Sequence, residues 1–215
     1  MDLKEWEPIY KQILTDFGFS RADDEHAALI LSQLLKAKGC FDKSLERLER
    51  IIKGHSVIIC GKAPSLIRDI KSGKIDPNEV IIAADGATSV LLSQGVIPTI
   101  VVSDLDGEID HLRAANIMCA TMVVHAHGDN VDKLRAYVSS LSDVVGTTQS
   151  QPLPNVLNAG GFTDGDRAIF LAQEFGARRI SAIGFDFSDT SATAQKLKKL
   201  KWAQRLLEPM DVNFK

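Results

Sequence analysis

The chain has 215 residues, of which 45% are hydrophobic and 25% charged, a composition typical of a folded globular protein rather than a disordered one. Its formal net charge of −3 differs from the basic balance of most nucleic-acid-binding proteins. No apolar run approaches the ~18 residues of a membrane helix, so we expect neither a nucleic-acid nor a membrane partner.

Residues 1–54 are predicted to form an N-terminal helical module. Apolar residues recur at helical spacing between positions 27 and 52. Asp2 and Ser20 are suitable N-caps, and Gly39 is suited to end a helix. No residue of this segment indicates chemistry, so we expect it to pack on the rest of the chain or on a partner subunit.

Residues 55–215 are predicted to form an α/β catalytic domain, because short β-branched runs alternate with helical segments. The predicted strands are 57–60, 80–84, 99–102, 121–124, 144–146 and 180–183. The predicted helices between them include 63–70, 88–94, 131–141 and 166–175. This alternation, with strands apolar enough to be buried on both faces, predicts a doubly wound, mostly parallel sheet.

Acidic residues, histidines and glycines follow nearly every predicted strand. The segments concerned are 61–65, 85–87, 103–107, 125–129, 147–149 and 184–186. Ligands of open parallel sheets bind just beyond the carboxyl ends of the strands. A scaffold protein would not need such residues along one edge, so the sequence predicts a functional cleft there.

Two carboxylates follow the third predicted strand, at Asp104 and Asp106. Once the strand turns, both can point into one cleft, and Mg²⁺ prefers hard oxygen ligands of this kind together with substrate phosphates. The lack of neighbouring thiolates or clustered imidazoles favours Mg²⁺ over zinc. The structural alternative is that one aspartate caps a helix and the other lies in a turn.

The segment 125–132 contains two histidines and two aspartates. His125 and His127 are suited to donate hydrogen bonds to phosphate oxygens, and one of them could accept the proton of a substrate hydroxyl. Asp129 and Asp132 are candidate further Mg²⁺ ligands, although Asp129 is also suited to cap the following helix. A zinc or iron site is less favoured, since no further imidazole or thiolate ligand is apparent.

The first strand is followed by a turn with features of a phosphate-binding site. Gly61 comes directly after the strand, and Pro64 and Ser65 open a helix whose N-terminus favours an anion. Together with Lys62, these residues are candidates for binding the nucleotide. The spacing of a P-loop is missing, and an ordinary strand-to-helix turn is the alternative.

Two further turns carry candidate ligand-binding residues. Asp85 and Gly86 follow the second strand, where Asp85 can hold a ribose hydroxyl or a metal-bound water, or act as an N-cap. Thr163 or Asp164 is expected to cap a long helix. Asp164 and Arg167 are candidates for binding a polar heterocycle or phosphate, and an elaborate helix cap is the alternative.

The remaining polar features predict no further site. The only basic cluster comprises Lys196, Lys198, Lys199 and Lys201, and we interpret it as an exposed helix face rather than a phosphate site. The three cysteines form no CxxC pair, which disfavours a zinc site or disulfides and favours reduced thiols. The charged N-terminus lacks the apolar core of a signal peptide, so we expect a cytoplasmic location.

Six motifs resemble, in this order, those of the archaeal 6-hydroxymethyl-7,8-dihydropterin diphosphokinase family, the MptE-like proteins. They are GKAPSL, AADGATS, SDLDG, HAHGDNVD, GGFTDGDRA and IGFDFS, all between residues 57 and 188. A more distant likeness is to thiamin diphosphokinases, which share an ADG-type turn followed by D-x-D and D-x-x-D. Those enzymes usually carry threonine where this chain has Val131 and a more glycine-rich first turn, so the pterin family fits better.

The resemblance implies transfer of the β,γ-diphosphate of ATP to the hydroxymethyl group of a reduced pterin, with release of AMP, in tetrahydromethanopterin or folate biosynthesis. It also implies Mg²⁺ as cofactor, ATP as co-substrate and a homo-oligomer. Asp104 and Asp106 would hold Mg²⁺ with Asp129 or Asp132, so Asp104→Asn or Asp106→Asn should lower turnover strongly and leave the fold intact.

The expected position of the pterin is near Asp164 or Asn158, where a carboxylate or amide matches its amino-pyrimidinone edge. Three other functions remain as alternatives. A thiamin diphosphokinase would use the same chemistry on another acceptor. In a nucleotide-sugar-dependent glycosyltransferase, of the kind found in the same superfamily, the D-x-D would hold the metal under the sugar nucleotide. A nucleotide-binding regulator would bind ligand without turnover.

Overall fold

The computed structural model describes residues 1–189 and 192–215. The helices are α1 (Leu3–Phe17), α2 (Arg21–Lys38), α3 (Phe41–Ile52), α4 (Leu66–Lys71), α5 (Ala87–Ser93), α6 (Ile109–Ile117), α7 (Val131–Tyr137), α8 (Asp164–Glu174) and α9 (Ala194–Leu207). The strands are β1 (Ser56–Cys60), β2 (Val80–Ala84), β3 (Ile100–Ser103), β4 (Thr121–Ala126), β5 (Val144–Thr148), β6 (Val156–Leu157), β7 (Arg179–Ile183) and β8 (Asn213–Phe214).

Across the described residues, the strands form one eight-stranded sheet in the order β6-β5-β4-β3-β2-β1-β7-β8. Every pair of neighbouring strands is parallel. The chain runs outward from β1 to β6, returns through α8, and places β7 on the other side of β1. The direction of winding therefore reverses between β1 and β7, which is where open α/β sheets commonly bind ligands.

Both faces of the sheet are covered, as the apolar strands predict. Alternate residues of β1 enter different cores: Val57 and Ile59 lie in one, and Ile58 and Cys60 in the other. The first core also contains buried residues of α1, α3, α8 and α9, and the second contains residues of α2 and α4 to α7. The predicted doubly wound α/β architecture is thus confirmed.

The three N-terminal helices contribute to both cores. Trp6 of α1 and Leu48 of α3 are buried on one face of the sheet, whereas Leu31 of α2 is buried on the other. The boundary predicted at residue 54 falls in the turn before β1. The helices that precede this boundary therefore wrap around the sheet.

The predicted helix ends of this segment are confirmed. The side chain of Asp2 accepts a hydrogen bond from the backbone of Lys4, and that of Ser20 accepts one from Asp23. Gly39 ends α2 in the left-handed conformation, with φ of 65°, which glycine adopts at little cost. None of the described helices combines the length and apolar character needed to span a membrane.

All six predicted strands are present, and three further elements were not predicted. The strands β6 and β8 have two residues each, too short for a recognisable apolar run. Helix α6 has nine residues and no side-chain hydrogen bond at its N-cap. The predicted helix 131–141 divides into α7 and a 3₁₀ turn at Val138–Ser140.

Candidate active site

The loops after β1 and β7 meet so closely that glycine is required in both. A Cβ atom on Gly61 would lie 2.6 Å from the carbonyl oxygen of Gly184. The backbone N–H of Gly61 donates to Ile183, at 2.9 Å, and that of Ala63 donates to Gly184, at 2.8 Å. These contacts extend the pairing of β1 and β7 past their ends and form one wall of a cleft.

Three carboxylates converge at the carboxyl edge of the sheet. One oxygen from each of Asp85, Asp104 and Asp164 lies within 4.8 Å of the others. Asp85 follows β2, Asp104 follows β3, and Asp164 is the first residue of α8. We call these residues the carboxylate cluster. Only Asp104 of the predicted Mg²⁺ ligands belongs to it, and the other two members were predicted to bind substrate.

Asp85 is held in place by the turn after β3. Its side chain accepts hydrogen bonds from the hydroxyl of Ser103, at 2.5 Å, and from the backbone N–H of Gly107, at 3.2 Å. The backbone of Asp85 has a positive φ of 33°, which is unfavourable for a non-glycine residue. Local strain of this kind is found at functional sites, where the surrounding structure enforces it.

The turn after β3 sends its two aspartates in different directions. Leu105, between them, has a φ of 65° and a buried side chain. The backbone N–H of Asp106 donates to Asp104 at 3.1 Å, while the Asp106 side chain is exposed and pairs with Lys133 of α7. The expectation that both carboxylates enter one cleft is therefore wrong for Asp106, because the left-handed residue between them turns the chain.

The three clustered carboxyl groups differ in acidity. Burial raises the pKa of Asp164 well above its usual value, and the nearby charges of Asp104 and Asp85 raise it further. Burial and the charge of Asp104 raise the pKa of Asp85, despite its hydrogen bond from Ser103. For Asp104, burial is outweighed by the hydrogen bond from His127 and by nearby lysines, so its pKa is lowered. The cluster thus carries negative charge that a cation would stabilise.

His127 contacts the carboxylate cluster directly. Its Nε2 lies 3.4 Å from the carboxylate of Asp104, and its Nδ1 accepts the backbone N–H of Asp129 at 3.3 Å. Since Nδ1 accepts, Nε2 carries the proton and donates to Asp104. The buried side chain of Asn130 also donates to the backbone of Asp104, at 2.8 Å, and so joins the ends of β3 and β4.

His125 is buried and has an unpartnered ring nitrogen. Burial and the charge of Arg167 lower its pKa well below the usual value, so the ring is neutral. Its Nδ1 lies 3.3 Å from the hydroxyl of Thr147, which itself donates to the carbonyl of Val124. With that hydroxyl proton directed to Val124, we assign the ring proton to Nδ1 and an acceptor role to Nε2, which has no hydrogen-bond partner among the described residues.

The loop before α8 positions Asp164 through a capping box, which confirms Thr163 as the N-cap. The carboxylate of Asp166 accepts backbone N–H groups of Phe162, at 2.8 Å, and Thr163, at 2.7 Å. Arg167 is only 2% exposed and donates to the carbonyl of Phe162. It lies inside the protein near Asp164 and Asp166 rather than on the wall of the cleft.

Two cavities adjoin the carboxylate cluster, and both are lined by Thr163, Asp164 and Lys199. The first, here called the lysine pocket, has a volume of about 280 Å³. Its other lining residues are Gly61, Lys62, Ala63, Ala84, Asp85, Gly86, Gly165, Gly184, Phe185, Asp186, Asp189, Lys196 and Leu200. The side chain of Lys62 passes so close to Gly86 that a Cβ atom on Gly86 would lie 2.5 Å from Cδ of Lys62.

The second cavity, the aromatic pocket, has a volume of about 110 Å³. Its other lining residues are Phe19, Asp104, His125, His127, Asp129, Gln149 and Phe162. It adjoins an outer groove that shares Phe19, His127, Asp129 and Gln149 and adds Gly18, Ser20, Asp23, Asp24 and Gly128. The carboxylate cluster therefore lies between two cavities of different composition.

Several predicted site residues lie elsewhere. Pro64 and Ser65 do not line either pocket, and Ser65 instead bonds to Asp69. Asp132 is exposed on α7 and lies outside the cluster, as does Asp129, which lines the aromatic pocket. Asn158 bonds to Ser150 and Gly160, at 2.7 and 2.9 Å, and lines a separate cavity of about 570 Å³ beside α3.

Sequence reasoning missed four residues that shape the site. Phe19 and Asp24 belong to the N-terminal helical segment, which was predicted to carry no chemistry. Gln149 lies in a segment recognised only as a strand end. Lys199 was assigned to an exposed helix face with its neighbours. Lys198 and Lys201 are indeed exposed and line neither pocket, whereas Lys196 is exposed but lines the lysine pocket, and Lys199 is half-buried and lines both pockets. The helical period of α9 could have separated Lys199 from its exposed neighbours.

The donor set of the cluster fits Mg²⁺. It offers three carboxylates and no thiolate, and its one imidazole neighbour already bonds to Asp104. Hard oxygen ligands next to a cavity lined by lysines suit a divalent cation that also binds phosphate oxygens.

The sequence matches a family model described as 6-hydroxymethylpterin diphosphokinase MptE-like, over residues 32–192. Three archaeal proteins, each called 6-hydroxymethyl-7,8-dihydropterin pyrophosphokinase, are similar over nearly their whole length. The Pyrococcus furiosus protein is 44% identical, across 97% of this chain and 94% of its own. The Methanocaldococcus jannaschii protein is 39% identical, across 96% and 95%. The Methanothermobacter thermautotrophicus protein is 39% identical, across 99% and 97%.

Proposed function

The chain belongs to the MptE-like 6-hydroxymethylpterin diphosphokinase family, and we propose that it transfers diphosphate from ATP to 6-hydroxymethyl-7,8-dihydropterin. The products are AMP and the pterin diphosphate. This is the acceptor named for each of the three similar archaeal proteins. The likeness covers both the N-terminal helices and the α/β sheet.

The observation that supports this reaction best is the position of the carboxylate cluster between the two pockets. Diphosphoryl transfer requires a nucleotide and an acceptor on opposite sides of the β-phosphorus. The protein must align them and neutralise the negative charge that develops as AMP leaves from the β-phosphorus. The carboxylate cluster, with the lysine pocket and the aromatic pocket adjoining it, meets that requirement.

Asp85, Asp104 and Asp164 are the residues that would hold Mg²⁺. Mg²⁺ bound there would supply positive charge that neutralises the phosphate oxygens. His127 orients Asp104 through its Nε2–H, and the charge of Lys199, which lines the same pocket, stabilises the ionised form of that carboxylate. The charge of Lys199 is available to both pockets, so it is suited to bind the diphosphate as it moves from one to the other.

The acceptor hydroxyl must lose its proton as its oxygen attacks the β-phosphorus. The bond between that phosphorus and the oxygen bridging to the α-phosphorus then breaks, and the oxygen leaves with AMP. His125 Nε2 is an unpartnered acceptor that lines the aromatic pocket, and its neutral ring can accept this proton, although burial and the charge of Arg167 lower its pKa and make it a weak base. We therefore propose His125 as the catalytic base.

The test follows the phosphorus atoms of ATP by ³¹P nuclear magnetic resonance during incubation with Mg²⁺ and the reduced pterin. The proposed reaction gives AMP and one diphosphate ester, and a chelator stops it. ADP with a pterin monophosphate would place attack on the γ-phosphorus and contradict the proposal. Sugar-nucleotide hydrolysis, or ligand binding without turnover, would instead support a glycosyltransferase or a regulator.

A further inference from the structure

We propose that the pterin ring binds in the aromatic pocket, against Phe19 and Phe162, so that the N-terminal helical segment determines which acceptor the enzyme uses. This inference rests on the proposed function, which supplies the acceptor, and it assigns the nucleotide to the lysine pocket. Four features of the described residues support it: ring geometry, charge, an unpartnered buried atom and the rigidity of the wall.

The aromatic pocket has flat apolar surfaces suited to a fused planar ring. Phe162 lies 6.5 Å from Phe19 between ring centroids, with an interplanar angle of 47°. Phe17 packs behind both rings, 5.3 Å from Phe19 and 5.0 Å from Phe162, without lining the pocket. Phenylalanine side chains bind planar heterocycles by stacking.

The two cavities differ in their number of lysines. The lysine pocket is lined by Lys62, Lys196 and Lys199 beside four aspartates, and its three ammonium groups favour a polyphosphate. Lys199, which both pockets share, is the one lysine among the described residues that line the aromatic pocket. The outer groove is lined by Asp23, Asp24 and Asp129, with no lysine or arginine among its described residues. Carboxylates repel phosphate but accept hydrogen bonds from the ring N–H and amino group of an aminopyrimidinone.

The unpartnered Nε2 of His125 independently indicates a ligand at this position. The residue is 3% exposed and lines the aromatic pocket, and a buried acceptor without a partner is unfavourable unless a bound group donates to it. A substrate that carries a hydroxymethyl group on its ring provides such a hydrogen-bond donor. A ring held against Phe19 and Phe162 would place that hydroxyl between the ring and the carboxylate cluster.

The wall formed by the N-terminal helices is fixed in place. The left-handed Gly18 ends α1, and the backbone N–H of Phe19 donates to Leu14 at 3.0 Å. The indole N–H of Trp6 donates to the carbonyl of Gln149 at 2.8 Å, and the side-chain amide of Gln149 donates to Asp24 at 2.8 Å. Binding therefore needs little ordering of this wall, which favours affinity.

The experiment compares KM for the pterin and KM for ATP in the wild type, Phe19→Ala and the control Phe17→Ala. Loss of a stacking ring typically weakens binding by roughly tenfold or more. We expect Phe19→Ala to raise KM for the pterin about tenfold and to leave KM for ATP within about twofold. Phe17→Ala, which removes packing behind the pocket, should change either KM by less than about threefold.

If Phe19→Ala does not fold, as judged by circular dichroism, Phe19→Leu keeps the apolar volume and removes only the flat ring. It should still raise KM for the pterin alone. An unchanged KM for the pterin, or an increase in KM for ATP, would overturn this inference. The proposed function would still hold in that case if the wild type releases AMP only when the pterin is present. Wild-type enzyme that released no AMP with the pterin would instead refute the function itself.

Discussion

The carboxylate of Asp24 accepts the backbone N–H of Gly128 at 2.9 Å, although the two residues are 104 positions apart in the sequence. The same carboxylate accepts the hydroxyl of Tyr10 at 2.7 Å and the amide of Gln149 at 2.8 Å. This single buried group connects α1 and α2 to the loops after β4 and β5. The N-terminal helices therefore fix the shape of the cleft as well as covering the sheet.

Asp24→Ala should destabilise the protein by about 2–4 kcal/mol, because it leaves three donors without their shared acceptor in a buried site. The free energy of unfolding, measured by urea denaturation, checks this value. Asp2→Ala, which removes an exposed helix cap, is the control and should cost about 1 kcal/mol. A loss for Asp24→Ala no larger than that of the control would contradict the structural role.

Asp104→Asn should reduce Mg²⁺-dependent turnover by about 100-fold or more, because it removes a charged ligand from the carboxylate cluster. Asp110→Asn, on the exposed side of α6, is the matched control and should retain normal turnover. Steady-state rates across a range of Mg²⁺ concentrations provide the measurement.

Asp106→Asn separates the sequence prediction from the structure. The D-x-D pattern predicts a loss as large as that of Asp104→Asn, whereas the pairing of Asp106 with Lys133 outside the cluster predicts a much smaller one. Equal losses for the two variants would mean that both aspartates bind the metal.

Asp164→Asn should raise the melting temperature of the metal-free protein at neutral pH. The folded pKa of Asp164 is raised, so its stabilising contribution is complete below the unfolded pKa of about 3.9 and is lost as pH rises through the folded value. The advantage of the variant should therefore grow from pH 4.5 to pH 7.5.

Scanning calorimetry in a chelator, followed by addition of Mg²⁺, measures this difference. Mg²⁺ should stabilise the wild type more than Asp164→Asn, because the variant lacks one of the charges that the cation would neutralise. A difference in melting temperature that stays constant with pH would contradict a raised pKa for Asp164 in the folded protein.

Lys199→Met should raise KM for ATP by about tenfold, since it keeps the apolar stem and removes a charge that faces both pockets. Lys201→Met is the control, because Lys201 is exposed on the same helix and lines neither pocket. Initial rates at varied ATP concentration distinguish the two. Equal values of KM for ATP in the two variants would contradict a role for Lys199 in nucleotide binding and support the sequence prediction of an exposed helix face.

The sheet and the location of the site could be predicted because each depends on local sequence. The apolar run at Val80–Ala84 predicts a buried parallel strand, and the acidic Asp85 at its end predicts a ligand. The strands β6 and β8 could not be predicted, because a two-residue strand forms only where the edge of an existing sheet offers it a pairing partner.

The composition of the metal site could not be predicted, because it depends on backbone geometry and on distant contacts. The left-handed Leu105 separates Asp104 from Asp106, and no residue type near it demands that conformation. Asp164 enters the cluster only because α8 crosses the sheet and begins beside β2 and β3. The role of Asp24 likewise requires knowing that α2 packs against the loop after β4.

The measurement that tests the central claim most directly is AMP formation from ATP and Mg²⁺, with 6-hydroxymethyl-7,8-dihydropterin and thiamin as separate acceptors. The account predicts AMP with the pterin and none with thiamin. AMP with thiamin alone would keep the mechanism and contradict the assigned substrate. No AMP with either acceptor would contradict diphosphoryl transfer at this site.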